Sequence, residues 1–362
     1  MKFFKARGYS AFNFWKIFEK LMIIIPVGVV ITIVFAVLTT PADMMQESIQ
    51  LSGAYLVLAS LLAILPWFMH TLRIINWSHF VGKKISFREA FKIVLGTELG
   101  SAVTPTAVGG GYVKIGLLMK SGFSLSEAIS VNFLGVLEDA CFFIIAIPFA
   151  ATVTELWKHS IFDSLLSEIS LTETIPIVIF VFILIVTILA YIHIRKKYLK
   201  DHQKKSRFFI GIKIIRKKIS RLFKEISHIY QKVGTRGKLF FFINFLLASL
   251  QWTARYSVIY LLLLSFQIQI SPILGFVLQW IQFTLLNLVP SPGAMVGAEA
   301  SFYLIYNTMI PQNLVGILAL SWRFCTFYLL MGLAVVLFFI IQIIESRKQN
   351  TPALSLEITS DQ

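Results

Sequence analysis

Thr104-Pro105-Thr106-Ala107-Val108-Gly109-Gly110-Gly111 and Val289-Pro290-Ser291-Pro292-Gly293 interrupt two otherwise apolar regions of the chain. Proline removes a backbone donor and clashes with the preceding helical turn. Glycine opens backbone conformations that other residues resist. A helix entering either stretch therefore stops there. In hydrocarbon, backbone groups freed by such a break are tolerated only where protein buries them or a polar cavity receives them. The two breaks predict re-entrant hairpins of half-helices, over about 93–127 and 272–311, rather than two more complete spans.

The surrounding composition is that of a membrane protein. Of the 362 residues 57% are hydrophobic and only 14% are charged, too few to coat a soluble protein of this length. Mean hydropathy is +0.79. A span needs about 20 apolar residues; the runs 21–40, 52–72, 128–152, 175–194, 239–266 and 314–344 qualify. The formal net charge of +15 raises nucleic acid as a partner, but the distribution argues against it. Most of the 33 Lys and Arg lie in 1–20, 73–92, 195–238 and the C-terminal tail, alternating with the apolar runs. That is the positive-inside pattern, read as cytoplasmic loops facing anionic lipid. Segments 41–51 and 153–174 are acidic on balance and belong outside. Both termini are then cytoplasmic, in the inner membrane.

These assignments give a segment 1–20, a membrane domain 21–345 and a tail 346–362. Within the domain, repeat 1 covers about 52–152, a basic linker 195–238 and repeat 2 about 239–344. The fold class expected is an all-α polytopic membrane protein of six full spans and two hairpins.

Loop charge makes the first hairpin open from inside and the second from outside. Placing Pro105 on Pro290 sets an offset of 185 positions (290 − 105). At that offset Ser86 meets Ser271, Trp67 meets Trp252, Lys114 meets Glu299 and Glu138 meets Arg323. Halves entered from opposite faces are related by an axis in the membrane plane. That is the inverted-repeat plan, with sites near the midplane on broken helices.

A charge at a helix centre costs about 2.5–3.5 kcal/mol on insertion scales, so intramembrane charges are paired or functional. The candidates are Glu98, Lys114, Glu138, Asp139, Arg255, Glu299 and Arg323. One reading pairs them to fix packing: Lys114 with Glu138 or Glu299, and Glu299 with Arg323. The other makes them line a polar cavity for a headgroup. Lys114 and Arg323 would then meet a phosphate, helped by half-helix N-termini after each break. Glu138, Asp139 and Glu299 would hold a cationic group or relay protons.

Other motifs carry less. Gly109-Gly110-Gly111 is not followed by a P-loop Lys-Ser/Thr at the right spacing. The six histidines lack ligand spacing, and Cys141 and Cys325 read as buried free thiols. No metal and no cofactor are expected. In the linker, Ile212, Ile215, Ile219, Leu222, Ile226 and Ile229 recur at helical spacing among Lys213, Arg216, Lys217, Lys218, Arg221 and Lys224. That is an amphipathic cationic helix, placed either on the inner membrane surface or against the bundle.

The stretch Gly96–Asp139, with its Thr-Pro-Thr-Ala-Val-Gly-Gly-Gly break and Leu137-Glu138-Asp139, resembles the first block of the lysylphosphatidylglycerol synthase transmembrane (flippase-like) family. Asn287–Gly332, with Val289-Pro290-Ser291-Pro292-Gly293, Glu299 and Arg323, resembles its second block. The resemblance implies a stand-alone member without an aminoacyl-transferase domain, moving lipid between leaflets. Anionic, aminoacylated or polyprenyl-phosphate lipids are then the candidate substrates, and a homo-oligomer stays open. The rivals are a secondary transporter of a solute or ion, and an intramembrane headgroup enzyme using Glu138 and Asp139 as acid–base groups. No nucleophile–base or metal constellation supports the enzyme, so a non-enzyme is expected.

Overall fold

The computed structural model describes residues 14–39, 52–104, 107–158, 207–289, 291–307 and 309–360, and they contain helices and turns but no strand. We number the helices α1 Phe14–Thr39, α2 Gly53–Phe80, α3 Phe87–Ala102, α4 Gly109–Lys120, α5 Leu125–Val153, α6 Arg207–Arg236, α7 Lys238–Ser265, α8 Pro272–Leu288, α9 Gly297–Tyr306, α10 Gln312–Arg323 and α11 Leu329–Ser360. A π-helical turn, Phe324–Tyr328, joins α10 to α11. The expected span 175–194, segment 41–51, Pro105 and Pro290 lie outside the described residues. Residues 155–225 form a compact unit of their own; the site described below belongs entirely to the other, 1–154 with 226–362.

Helices α1, α2 and α5, and the run Gln312–Glu345 through the π turn, are long and apolar enough to cross a bilayer. Helix α7 covers the expected span 239–266. Helices α3, α4, α8 and α9 have 16, 12, 17 and 10 residues. Each falls short of the roughly 20 residues that a crossing requires, as two hairpins of half-helices demand. The chain is an all-α polytopic membrane protein.

Helix starts follow local chemistry. Ser86 caps α3 by accepting from Glu89 N. Ser124 and Glu127 form a reciprocal capping box at α5. Pro272 opens α8 behind Ser271, where a missing N–H costs nothing. By contrast the N-cap residues of α4 and α9, which follow the breaks, supply no side-chain cap; at α4 the first N–H, of Gly109, donates instead to Thr104 Oγ1 of the break at 2.9 Å. Left-handed backbone marks both breaks at non-glycine residues: Ala107 at φ 57° in one, Ala294 at 49° and Val296 at 66° in the other. For a β-branched residue such as Val296 that conformation is strained.

The halves repeat at the offset read from the prolines. Shifted by 185, Gly53–Phe80 becomes Lys238–Ser265, and Phe87 falls on Pro272. The equivalent helices α2 and α7 run antiparallel. Ser52 N donates to Ser265 O at 3.1 Å at one end, and Asn76 Nδ2 donates to Phe240 O at 3.0 Å near the other. The Ser52–Ser265 contact has its twofold mate: a Cβ on Gly237 would stand 2.9 Å from Phe80 Cε2. Positions 52 and 80 shifted by 185 are 237 and 265, so the inversion is written into the contacts.

One loop assignment is corrected. Segment 73–92 is not a loop throughout, because α2 continues to Phe80 and α3 begins at Phe87. Arg73 is buried, 3% exposed; carboxylates on α5 compensate its charge, so a basic residue counted towards the inner loop sits in the bundle. Beyond Ile344, α11 runs on through the tail to Ser360; Glu345, Arg347, Lys348 and Gln349 are all good helix formers.

The first hairpin closes on glycine. Gly96 and Gly100 of α3 face Leu117 and Val113 of α4, and a Cβ on Gly110 would lie 2.0 Å from Ser101 Oγ and 2.9 Å from Thr97 O. The backbone oxygen cannot swing away. Gly110→Leu is therefore expected to destabilise the protein by about 1–3 kcal/mol, the usual cost of overpacking. Gly53→Ala, with nothing within 4 Å of its Cβ, should be near neutral. Thermal midpoints in detergent distinguish the two.

Candidate functional site

A cavity of about 340 Å³ lies where the two breaks meet. Thr104 and Ala107 of the first break and Ser291, Gly293 and Ala294 of the second share its wall. Its charged wall residues are Glu98, Arg255 and Arg323. Trp252, Tyr256, Phe283 and Trp322 supply aromatic faces, packed ring to ring: Trp252–Tyr256 at 5.4 Å, Tyr256–Phe283 at 5.5 Å and Phe283–Trp322 at 6.1 Å between centroids. The volume falls in the range of small-molecule pockets, and the mixture of apolar faces with a few polar groups is typical of them.

The two cavity arginines are held differently. Arg255 Nη2 donates to Glu98 at 3.0 Å, and its guanidinium stands 5.5 Å from the Trp252 ring. Both side chains of this pair are over a fifth exposed, 24% and 21%, so they remain open to a ligand. Arg323 is 3% exposed and largely committed. Its Nε donates to Glu299 Oε1 at 3.2 Å, its Nη2 to Gly293 O at 2.8 Å, and it lies 4.9 Å from the Phe327 ring. The bond to Gly293 O satisfies one carbonyl freed by the second break. Glu299 Oε1 also accepts from Thr32 Oγ1 at 2.7 Å, and Tyr328 OH is 2.7 Å from the same hydroxyl. Helix α1, outside both repeats, thus fastens the second hairpin.

Glu138, Asp139 and Lys114 do not line the cavity. They form a second cluster around Arg73, which bonds Glu138 through Nε at 2.9 Å, Gln251 Oε1 at 2.9 Å and Gly135 O at 2.8 Å, and lies 2.8 Å from Asp139 Oδ1. The Trp77 indole also donates to Glu138. Lys114, 6% exposed, has His70 Nε2 at 3.1 Å. Of the sequence pairings, Glu299–Arg323 is present, while no carboxylate is within ion-pair distance of Lys114 among the described residues. Arg73 takes Glu138 instead. Of the hairpin-break residues, Gly109, Gly110 and Gly111 open α4, and Pro292 and Gly293 form the turn Pro292–Ala294.

Sequence reasoning missed Arg73, Trp77 and Gln251, because loop charge placed Arg73 outside the bundle and the other two are ordinary in a span. It missed Thr32 and Tyr328, whose partners are distant in sequence. It also missed a buried chain on α8: Trp322 Nε1 donates to Gln279, whose amide donates to Gln282 at 2.8 Å. Two glutamines three apart in an apolar helix were the available signal. A third repeat pair went unread as well. At the 185 offset His70 coincides with Arg255, so His70, Lys114 and Glu138 map as a set onto Arg255, Glu299 and Arg323.

Removing one partner of a buried ion pair leaves an uncompensated charge, which costs about 3–5 kcal/mol. Arg73→Ala should therefore lower stability by about that much, while Arg73→Met combined with Glu138→Gln and Asp139→Asn should recover most of it. Arg255→Gln, at a partly exposed pair, should cost under about 1 kcal/mol. Chemical denaturation in detergent compares the three.

Residues 23–334 match the family described as the lysylphosphatidylglycerol synthase TM region. Over 285 residues the chain is also 24% identical to a UPF0104 membrane protein of Archaeoglobus fulgidus, an alignment covering 75% of this chain and 82% of that relative. With most of its length matched, both breaks included, the chain belongs to the lysylphosphatidylglycerol synthase transmembrane family.

Proposed function

We propose that this protein moves a polar-headed phospholipid between leaflets, taking the headgroup into the cavity between the two breaks while the acyl chains stay in the bilayer. The observation that carries the reading is the partly exposed Arg255–Glu98 pair, set between aromatic faces at the junction of the two hairpins. Arg255 offers donors to a phosphate and Glu98 an acceptor to an ammonium or hydroxyl. In this reading the termini face the cytoplasm at the cell membrane, which the positive-inside distribution of the basic segments supports, and the step is translocation without a chemical reaction.

The pseudo-twofold suggests how access would alternate. In the conformation described here, Glu299 holds Arg323 and Lys114 holds His70. Exchanging the conformations of the halves converts the first contact into Lys114–Glu138 and the second into Glu299–Arg255 at the equivalent positions. Both exchanged contacts join opposite charges, so the alternative state is electrostatically matched. An internal symmetry of sequence need not have that property. Arg73 would release Glu138 as Lys114 takes it.

The test is dithionite quenching of fluorescent lipids in proteoliposomes. Arg255→Gln and Glu98→Gln should each slow lipid movement at least about tenfold, equivalent to about 1.4 kcal/mol, with little loss of stability. Absence of movement for anionic, aminoacylated and polyprenyl-phosphate lipids alike would overturn the reading, and uptake of a soluble ion instead would favour a solute transporter. For the exchange, the pair Lys114→Cys and Glu138→Cys should cross-link faster during turnover than at rest. Equal rates would sink it.

A further inference from the structure

The cationic helix of the linker takes no part in the cavity between the breaks, and its end carries a surface of its own. At buried Gly237 the chain turns sharply: the helices on either side, ending at Arg236 and starting at Lys238, meet at 92°. The turn is anchored, because Gly237 and Lys232 both pack on Phe80, with Lys232 Nζ 5.5 Å from its ring. Val233 is buried beside it. Before the turn, His228, Gln231, Lys232, Thr235 and Arg236 line one concave surface, and Lys238 is exposed just beyond it. None of the ion pairs among the described residues uses Lys232, Arg236 or Lys238.

On the far side of the turn the exposed residues change character at once. Leu239 is 66%, Phe242 56% and Ile243 40% exposed. Such apolar exposure is stable only in hydrocarbon. The turn therefore stands at the boundary between acyl chains and headgroups. A helix perpendicular to α7 at that level lies along the membrane surface rather than into it.

We infer that the elbow around Gly237 is a docking surface for the anionic phospholipids of the adjoining leaflet, with His228, Lys232, Arg236 and Lys238 held at the depth of their phosphates. Charge complementarity selects the occupant. The described residues that line the surface include donors and the cations Lys232 and Arg236 but no acid, Lys238 follows just beyond the turn, and a leaflet bearing anionic lipid supplies the counter-charge. An acidic protein segment docked there is the rival outcome. The inference does not depend on which lipid, if any, is transported.

A dye that shifts to the blue in apolar surroundings, placed on Ser227→Cys, reads the contact in the full-length protein. Nanodiscs of phosphatidylcholine alone are compared with nanodiscs containing phosphatidylglycerol. Phosphatidylglycerol should shift the emission to the blue, and 1 M salt should reverse the shift, since screening then acts within about 3 Å. The triple variant Lys232→Gln, Arg236→Gln, Lys238→Gln should abolish the lipid dependence while eluting as the same monodisperse species. Identical emission in both nanodiscs overturns the inference, as does a shift that survives the triple variant. A blue-shifted dye in both, unmoved by salt, means the helix is covered by protein and also overturns it.

Discussion

Charge inside an apolar bundle must be met by charge or hydrogen bonds from another helix, and the arrangement of this protein follows from that requirement. Arg73 of α2 meets Glu138 and Asp139 of α5. Arg255 of α7 meets Glu98 of α3, and Lys92 of α3 meets Glu345 of α11. Arg323 of α10 meets Glu299 of α9 and, through a carbonyl, the second break itself. Desolvation makes a buried charge costly once its partner is removed, so each pair fixes which element meets which, although an apolar pair could hold the same contact as firmly. The broken helices can remain broken because these ties and the glycine seam of the first hairpin satisfy or bury what the breaks expose.

The same groups divide by openness. Arg73 and Glu138 are sealed, with side chains 4% and 0% exposed, whereas Arg255 and Glu98 face the cavity at 24% and 21%. A sealed pair contributes to the specificity of packing. A partly solvated pair can trade its partner for a ligand at modest cost, since part of its desolvation has not occurred. That difference, rather than the mere presence of intramembrane charge, separates the structural cluster from the candidate binding cluster. The π turn Phe324–Tyr328 adds to the second group. It directly follows Arg323 and brings Thr326 and Phe327 to the cavity wall, in keeping with the tendency of π turns to occur at functional sites.

Much of the fold was legible in the residues. Pro105 and Pro290 set an offset that carries α2 onto α7 residue for residue, because proline and glycine act on the backbone locally and need no partner to do so. Hydropathy placed α5 and α7 within three residues and the end of α1 within one, though α1 begins seven residues before the expected span. Loop charge failed at Arg73, since a positive residue paired within the bundle looks the same in sequence as one facing an inner loop. Lys114 and Glu138 were natural partners by depth and sign, yet Arg73 on a neighbouring helix is nearer to Glu138. The Thr32 contact with Glu299 joins positions 267 apart, beyond the reach of any periodicity.

The sequence by itself determined the solvent, the helical class, the two breaks and the twofold relation between halves, each being a property of composition or of short backbone-directing stretches. Only the tertiary structure decided which charge meets which and which of them reach the cavity between the breaks. Pairing in a low-dielectric interior depends on distances of a few ångströms between side chains on different helices, and spacing along one chain does not encode those distances.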